Sequence, residues 1–187
     1  MTQAERTDEL SDGVLRVPLR GGLAGGRFAL IDADDADRVL GHRWHLSRQG
    51  YAVANLRAPE GPGAILMHRL VMPPRPGFEV DHINLNRLDN RKANLREATH
   101  SQNVRNTGRR SHSRWPYKGV RHNGASWTAR IRHLGQETFL GAFASAEDAA
   151  RAYDRAARSR FGCFARTNDV DKRPTGESQA GNEGDAA

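Results

Sequence analysis

The sequence has little cysteine, few aromatic residues and no long apolar run. Cys163 is the only cysteine among 187 residues, which excludes an internal disulfide and a cysteine-cluster zinc site. No apolar segment approaches the ~20 residues that cross a bilayer, and the opening MTQAERTDELSDG is not a signal peptide. With 37% hydrophobic and 6% aromatic residues, a large core is excluded. We expect a soluble protein of a reducing compartment, with one domain or two small ones.

Lysine is also scarce. Of 29 basic residues only Lys92, Lys118 and Lys172 are lysines, so 26 are arginines. The net charge of +7 is unevenly placed: residues 1–14 and 169–187 each sum to −3, which leaves +13 for the middle of the chain. Arginine binds phosphate through two parallel N–H groups and stacks on bases, so the pattern predicts a polyanionic partner. A GC-rich genome would explain arginine in place of lysine, but not an excess confined to the middle.

Composition divides the chain into two domains between polar ends. Residues 1–13 and 169–187 are polar and lack periodicity, which predicts disordered ends. The basic, hydroxyl-rich TGRRSHSR at 107–114 is typical of a linker. The two predicted domains are therefore 14–106 and 115–168.

The first domain contains short strand-like segments and one well-defined helix start. VLRVPL and FALID predict strands, DADDADRVLGH a short helix, and WHLSRQGYAVANLR a hairpin that turns at Gln49 and Gly50. AILMHRLVM predicts a buried strand or a helix entry. Thr99 followed by Gln102 fits a capping box, so a helix is expected to start there.

The second domain has clearer periodicity. YKGVR, SWTARIRH and ETFLGAF predict three strands, the first two joined by a tight turn at Asn123 and Gly124. In the middle strand Trp127 points to one face, whereas Arg130 and Arg132 point to the other. A helix with an alanine-rich stripe follows from Ser145 and ends at Gly162. An antiparallel three-stranded sheet packed on one helix is expected, and the whole chain is predicted to be α+β.

The segment VDHINLNRLDNRKANLREATHSQN places Asp81 beside His82 in amide-rich surroundings. Adjacent residues of a strand point to opposite faces, so the two side chains are not expected to bind one ion together. An aspartate with amide oxygens and waters suits Mg²⁺ or Mn²⁺, and a neutral His82 can take a proton from water. Beside an arginine-rich surface these groups suit phosphodiester hydrolysis. A lone Asp-His pair is also typical of turns, and asparagine is common in loops.

Across residues 15–106 the sequence resembles HNH nucleases of the phage and bacterial homing type. The likeness includes PLRGG, ALIDADD, YAVANLR, MHRLVMPP and VDHINLNRLDNRKANLREATHSQNVRN. It implies a ββα-metal fold with Asp81 as metal-binding acid and His82 as general base. It also implies that Asn94 braces the hairpin and that Asn103 is the metal ligand from the helix.

The resemblance implies a one-metal mechanism. A divalent ion held by Asp81 and Asn103 would polarise the phosphate, while His82 deprotonates the attacking water. Asparagine in place of a helix histidine favours Mg²⁺ or Mn²⁺ over zinc. His68 is expected to be a packed histidine. The other asparagines of the segment are interpreted as loop formers: Asn84, Asn86 and Asn90.

From Tyr117 to Asn168 the sequence resembles the AP2/ERF DNA-binding domain, on YKGVR, EDAARAYDRAA and FG. The resemblance implies that the sheet enters the major groove of double-stranded DNA. Glu137 and Phe139 replace residues usual in the family, so its base preference is not carried over. The predicted DNA-binding residues are Lys118, Arg121, Trp127, Arg130 and Arg132.

The two resemblances predict a metal-dependent DNA endonuclease that an AP2 domain tethers to DNA, in the cytoplasm of a bacterium or of a phage-infected host cell. The alternative is a non-catalytic DNA-binding regulator that keeps the HNH fold. An RNA-binding module would need stacking aromatics that the basic face mostly lacks. No membrane and no obligate protein partner is expected. The oligomeric state is left open, and a monomer with one active site would favour nicking.

Overall fold

The computed structural model of the chain describes most of both predicted domains. The described residues are 8–10, 13–56, 63–107 and 114–170, and of 8–10 only the backbone is described. The chain divides into two compact units, 1–107 and 108–187, called the first and the second unit. Most of the predicted linker and of the predicted disordered ends lies outside the described residues.

The first unit begins with a three-stranded antiparallel sheet. Its strands are β1 (Asp8–Leu10), β2 (Val14–Pro18) and β3 (Phe28–Asp32). β2 and β3 lie in the segments predicted as strands, but β1 lies in the end predicted to be disordered. Its backbone pairs with β2 in the register Glu9 to Leu15, and Gly13 turns the chain between them with a φ of +69°. Pairing with a neighbouring strand orders residues that have no apolar periodicity of their own.

A second antiparallel sheet and two short helices complete the core of the first unit. Trp44 is 2% exposed in this core and donates from Nε1 to the Val39 carbonyl at 2.8 Å. Gly50 forms the predicted turn with a φ of +84°. The segment AILMHRLVM, predicted to be a buried strand or the start of a helix, contains the end of a strand followed directly by a helix. The elements are α1 (Ala36–Leu40), β4 (Trp44–Leu46), β5 (Ala52–Leu56), β6 (Gly63–Leu66) and α2 (Met67–Val71).

The first unit ends in a ββα arrangement made of β7 (Glu79–His82), β8 (Leu95–Ala98) and α3 (His100–Asn106). β7 and β8 are antiparallel, with Asp81 opposite Arg96. The capping box predicted at the start of α3 is present: the Thr99 hydroxyl accepts from the Gln102 N–H, and the Gln102 side chain accepts from the Thr99 N–H. The loop between β7 and β8 contains Asn84, Asn86, Asn90 and Asn94.

β3 supports that loop from the side. The Leu30 N–H donates to the Leu88 carbonyl at 2.7 Å, and the Leu30 carbonyl accepts from the Asn90 N–H at 2.8 Å. Further along, the Lys92 N–H donates to Asp32 at 2.7 Å. The loop is therefore held by hydrogen bonds to the first sheet, in a chain whose single cysteine cannot form an internal disulfide.

The second unit is a three-stranded antiparallel sheet packed on one helix. It contains β9 (Val120–His122), β10 (Trp127–His133), β11 (Gln136–Phe143) and α4 (Ala146–Phe161). α4 is capped by Ser145 and presents a buried, alanine-rich stripe, as predicted. Asn123 and Gly124 belong to a four-residue loop rather than a two-residue turn, because Asn123 Oδ1 accepts from the N–H groups of Ala125 and Ser126. No described helix is both long and apolar enough to cross a membrane.

Two features hold the second unit together: the close approach of Gly119 to Tyr153 and the hydrogen bonds of Asn168. Gly119 has a φ of +74°, and a Cβ there would lie 2.2 Å from the Tyr153 ring. The Asn168 side chain bonds the backbone N–H and carbonyl of Lys118 at 2.7 and 3.2 Å. Asn168 also donates to the buried Asp154 carboxylate at 2.8 and 2.9 Å. These bonds tie the segment before β9 to α4 and to residues near 168.

Candidate functional site

Asp81 and His82 are neighbours on β7 whose side chains lie in two separate environments. Both are buried, at 3% and 5% exposure. Asp81 contacts β8 and α3, whereas His82 faces the β7–β8 loop and His68. This opposite placement follows from the alternation of side chains along a strand.

The Asp81 carboxylate is held by a cation and an amide. Arg96 donates to Oδ2 from Nε at 2.8 Å and lies 2.7 Å away through its second nitrogen. The Asn106 amide donates to both carboxylate oxygens, at 3.0 and 3.1 Å, and to the His82 carbonyl at 2.9 Å. Charge-assisted bonds of this kind offset the free-energy cost of burying a carboxylate.

Asn103, the predicted helix ligand, lies on a different carboxylate. Its amide donates to Glu79 Oε2 at 2.6 Å, and Asn106 occupies the position against Asp81. Glu79 and Asp81 are two residues apart on β7 and therefore share one face of the strand. Asn103 and Asn106 are three residues apart on α3 and share one face of the helix. Sequence analysis missed Asn106, although its spacing from Asn103 was the available signal.

Burial controls the protonation of the two histidines near the site. Burial lowers the pKa of His82, while its hydrogen bond to Asn90 and the charges of Asp81 and Asp89 act in the opposite direction. Burial, together with the charges of His82 and Arg69, lowers the pKa of His68 to about 3. The ring centroids of the two histidines are 5.0 Å apart. His68 is therefore a packed neutral histidine, and His82 is also neutral at neutral pH, with one ring nitrogen that carries no hydrogen.

Asn94 connects the two ends of the loop. Its Oδ1 accepts from the Asn84 N–H at 3.0 Å, and its amide donates to the Asp89 carbonyl at 2.8 Å. Asn94 is 7% exposed and lies at the end of a short 3-10 helix before β8. These contacts link the start, the middle and the end of the loop through one side chain.

A buried ion pair fixes the middle of the loop. Burial would raise the pKa of Asp89, but the ion pair with Arg91 and a hydrogen bond from Asn84 outweigh it and lower the pKa. Arg91 Nε lies 2.7 Å from one oxygen of Asp89, which is 2% exposed. The neighbouring Arg87 guanidinium lies 4.6 Å from the centre of the Tyr51 ring. The loop thus presents a cation beside the ring cluster of His82.

The side chains around Asp81 carry oxygen atoms of the kind that hard divalent cations prefer. Asp81 has a carboxylate and Asn103 and Asn106 have carboxamides, but both amides here turn Nδ2 to a carboxylate, Asn103 to Glu79 and Asn106 to Asp81. Among the described residues no group of three or more His, Cys, Asp or Glu side chains could hold a metal.

Three of the predicted DNA-binding residues share the outer face of the second-unit sheet. Arg121 lies opposite Thr128, and Arg130 and Arg132 follow Thr128 at two-residue steps on β10. All three arginines are exposed. Arg130 is engaged within the sheet: it lies 2.9 Å from a Glu137 oxygen, and its guanidinium is 5.4 Å from the Phe139 ring centre.

Trp127 and Lys118 are placed differently from those arginines. Trp127 is half-buried, packs against the core of the second unit and lies 4.8 Å from the His122 ring. It therefore belongs to the helix side of the sheet, in agreement with the strand alternation. Lys118 lies in the turn before β9, where burial and the charge of Arg166 lower its pKa to about 8.

The first unit also contains two clefts with basic linings. One, of about 520 Å³, is lined by Arg20, Arg43 and two histidines, and no carboxylate is among its lining residues. The other, of about 370 Å³, is lined by Arg16 and Arg27 together with the loop residue Asn86. Both linings are complementary in charge to a phosphate backbone.

Comparison with known proteins shows two separate similarities. A family model described as HNH endonuclease matches residues 66–105, which include β7, β8 and most of α3. An uncharacterised HNH endonuclease of Acanthamoeba polyphaga mimivirus is 30% identical over 159 residues, which cover 80% of this chain and 79% of the viral protein. A solved structure of the HNH homing endonuclease I-HmuI, titled as binding and cleaving DNA, has a TM-score of 0.31 and 27% identity, over 35% of this chain and 40% of that one.

The C-terminal region is similar to plant proteins of the AP2/ERF type. Protein PPLZ02 of Lupinus polyphyllus is 53% identical over 55 residues, 28% of this chain and 34% of that protein. Dehydration-responsive element-binding protein 2A of Oryza sativa is 45% identical over 58 residues, 29% of this chain and 21% of that protein. The chain therefore spans about a third or less of these plant relatives.

Proposed function

Since the chain belongs to the HNH endonuclease family and its C-terminal region is AP2/ERF-like, we propose that it hydrolyses phosphodiester bonds in double-stranded DNA with one divalent metal ion and uses the second unit to hold the DNA. The observation that carries the proposal is the split environment of β7. Asp81 lies among hydrogen-bond donors, whereas His82 is buried against Asn90 and His68, and this burial lowers its pKa and keeps its imidazole neutral.

His82 acts as general base in this mechanism. Burial keeps its imidazole neutral, so it can take a proton from the water that attacks the phosphorus. Asn94 holds the two ends of the loop together, which keeps the ring in place during the reaction. The bracing is consistent with a base that must stay within hydrogen-bond reach of the attacking water.

Asp81 and Asn103 are the residues proposed to hold Mg²⁺ or Mn²⁺, which would polarise the phosphate and stabilise the departing 3′ oxygen. Asn103 would exchange its bond to Glu79 for this role, and the two carboxylates share one face of β7. Asn106 holds the Asp81 carboxylate in position.

The second unit supplies DNA affinity in this proposal. Arg121 and Arg132 project from its exposed sheet face and can bind phosphates or base edges. The arginine-lined clefts of the first unit are suited to the backbone of the same duplex. A monomer with a single active site would cut one strand.

One observation favours the alternative, a DNA-binding regulator without cleavage. Arg96 already neutralises the Asp81 carboxylate, so a cation must bind in competition with a guanidinium. The two functions differ in whether DNA is cut, although both require that it is bound.

Supercoiled plasmid separates the two functions. The full chain is incubated with plasmid in Mg²⁺ or in EDTA, and the same is done with His82→Ala. The nuclease predicts Mg²⁺-dependent nicking that the variant loses while it still binds a labelled duplex. If the wild type binds DNA but does not nick it in Mg²⁺, the DNA-binding regulator is supported instead. If His82→Ala nicks at the wild-type rate, His82 is not the general base.

A further inference from the structure

Asn90 is a polar side chain with almost no access to solvent. It is 1% exposed and lies in the loop between β7 and β8, where the sequence suggested only a loop former. A buried carboxamide costs free energy unless its donor and acceptor atoms are paired. The partners of Asn90 therefore indicate why a polar group lies there.

The two ends of the Asn90 amide have different partners. Its Nδ2 donates to the Leu88 carbonyl at 3.3 Å and to the Met67 sulfur at 3.3 Å, both of which are acceptors. These contacts fix which end of the amide is nitrogen, and they turn Oδ1 toward His82 Nε2 at 3.2 Å. An amide oxygen can only accept, so His82 Nε2 must carry a hydrogen in this arrangement.

We propose that Asn90 is a positioning residue that fixes the tautomer of His82. Its Oδ1 accepts from His82 Nε2–H, which leaves Nδ1 without hydrogen as the atom that receives a proton from water. The importance of that atom rests on the proposed nuclease function, whereas the hydrogen bond and the tautomer do not.

The fold gives Asn90 little freedom to move. Its own N–H donates to the Leu30 carbonyl at 2.8 Å, so β3 and not only the loop holds its backbone. The His68 ring packs edge-on against His82 at 5.0 Å between centroids, and the Tyr51 ring lies 6.1 Å away. The opposite tautomer of His82 would place an Nε2 without hydrogen against Oδ1, two acceptors facing one another.

Two substitutions at position 90 separate the acceptor from the packing. Asn90→Leu keeps a similar volume and removes the acceptor, whereas Asn90→Asp keeps an oxygen acceptor; both lose the amide donor. Asn86→Ala is the matched control for the tautomer alone, because Asn86 lies in the same loop but is exposed and accepts from the Leu88 N–H at 3.1 Å. Thermal unfolding of each full-length variant checks that the fold is kept.

The readout is the tautomer of His82, from ¹⁵N and ¹H NMR of the labelled imidazole nitrogens near neutral pH. His82→Gln identifies its signals among the eight histidines. We expect Nε2–H in the wild type, Asn86→Ala and Asn90→Asp, and a mixture of tautomers in Asn90→Leu. The cleavage kcat should fall roughly 10- to 100-fold in Asn90→Leu, less than the ~10²–10⁴-fold for loss of the base, with KM within about twofold.

Two results would overturn the inference. In the first, Asn90→Leu keeps both the wild-type His82 tautomer and the wild-type kcat. In the second, Asn90→Asp and Asn90→Leu lose the single tautomer and the cleavage rate to the same extent. The second result would make Asn90 a packing residue. If the wild type does not cleave DNA at all, the nuclease proposal fails, and the NMR signals still decide whether Asn90 sets the His82 tautomer.

Discussion

The loop between β7 and β8 and the outer face of the second-unit sheet both present polar side chains, but in opposite ways. At the end of β7 and in the loop, His82, Asn90 and Asn94 are at most 7% exposed, and each is hydrogen-bonded to a neighbour. On the sheet, Arg121 and Arg132 are exposed on an open surface. Bond hydrolysis needs groups fixed before substrate arrives, whereas contact with a long polyanion tolerates side chains that adjust. Substitutions should therefore act steeply in the loop and by small increments on the sheet.

The steepest expected effect is that of His82→Ala. Removal of the proposed general base should lower the cleavage rate roughly 10²–10⁴-fold while the affinity for duplex DNA stays within about twofold. Single-turnover plasmid nicking and fluorescence anisotropy measure the two quantities. A parallel loss of affinity and rate would mean that the loop and the sheet face are not functionally distinct.

Gly119→Ala tests whether the outer face of the second-unit sheet depends on the close packing between Gly119 and Tyr153. The new Cβ would lie 2.2 Å from the Tyr153 ring and 2.7 Å from the Arg130 carbonyl, at a positive φ. We expect the second unit to lose about 2–4 kcal/mol of stability and DNA affinity with it. Gly124→Ala is the control, because its φ is also positive but no atom lies within 4 Å. Equal melting temperatures for the two variants would show that the close approach is not important.

Asn103→Ala and Asn106→Ala sharpen the division of roles on α3. Asn106 is buried against Asp81, so its loss should lower the free energy of unfolding by about 1–3 kcal/mol. Asn103 bonds the more accessible Glu79, so its loss should change stability by under about 0.5 kcal/mol but raise the Mg²⁺ needed for half-maximal nicking roughly 10-fold. Urea titration and a Mg²⁺ titration distinguish them. A reversed pattern would make Asn106 the metal ligand.

On the sheet face the effects should be smaller and dependent on salt. Arg121→Ala combined with Arg132→Ala should reduce the slope of log Kd against log salt by about 0.9 for each phosphate that the protein no longer neutralises. Arg130→Ala should do less, because Arg130 is paired with Glu137. Arg155→Ala, on the exposed side of α4, controls for net charge. A slope that falls equally in the control would contradict a specific role for the sheet.

Lys118 should produce a change that is seen only through pH. Its pKa is lowered by burial from 10.5 to about 8, so between these values the unfolded chain holds a proton that the folded chain has lost. Stability should therefore rise with pH across that window, relative to Lys118→Met, in which this contribution is absent. Urea midpoints at several pH values measure it. Parallel pH profiles would show that the Lys118 ammonium is not shielded from water in the folded protein.

Local signals in the sequence predicted much of this fold. The Thr99 capping box, the Ser145 cap and the alanine stripe of α4 each involve residues within one or a few helical turns, where spacing alone determines contact. The strand alternation also predicted the outward arginines of β10 and the opposite face for Trp127. The resemblance to AP2 domains implied a DNA contact for Trp127, which in the structure is half-buried and packs against the core.

What sequence analysis missed depends on distant partners. β1 is ordered by pairing with β2 and not by its own composition. Asn90 has the same local signature as Asn84 and Asn86, and only its contacts with His82, Met67 and β3 distinguish it. Asn106 is assigned by a contact with a residue 25 positions earlier in the chain. No local pattern encodes such contacts.

The carboxamides that brace the loop carry no charge at any pH. Asn84, Asn90 and Asn94 hold the loop and the His82 ring through neutral dipoles, which added salt does not screen as it screens exposed ions. The arginines of the sheet face, by contrast, act through charge. Rising ionic strength should therefore slow this nuclease by making DNA leave sooner, and DNA that remains bound should still be cut at nearly the same rate.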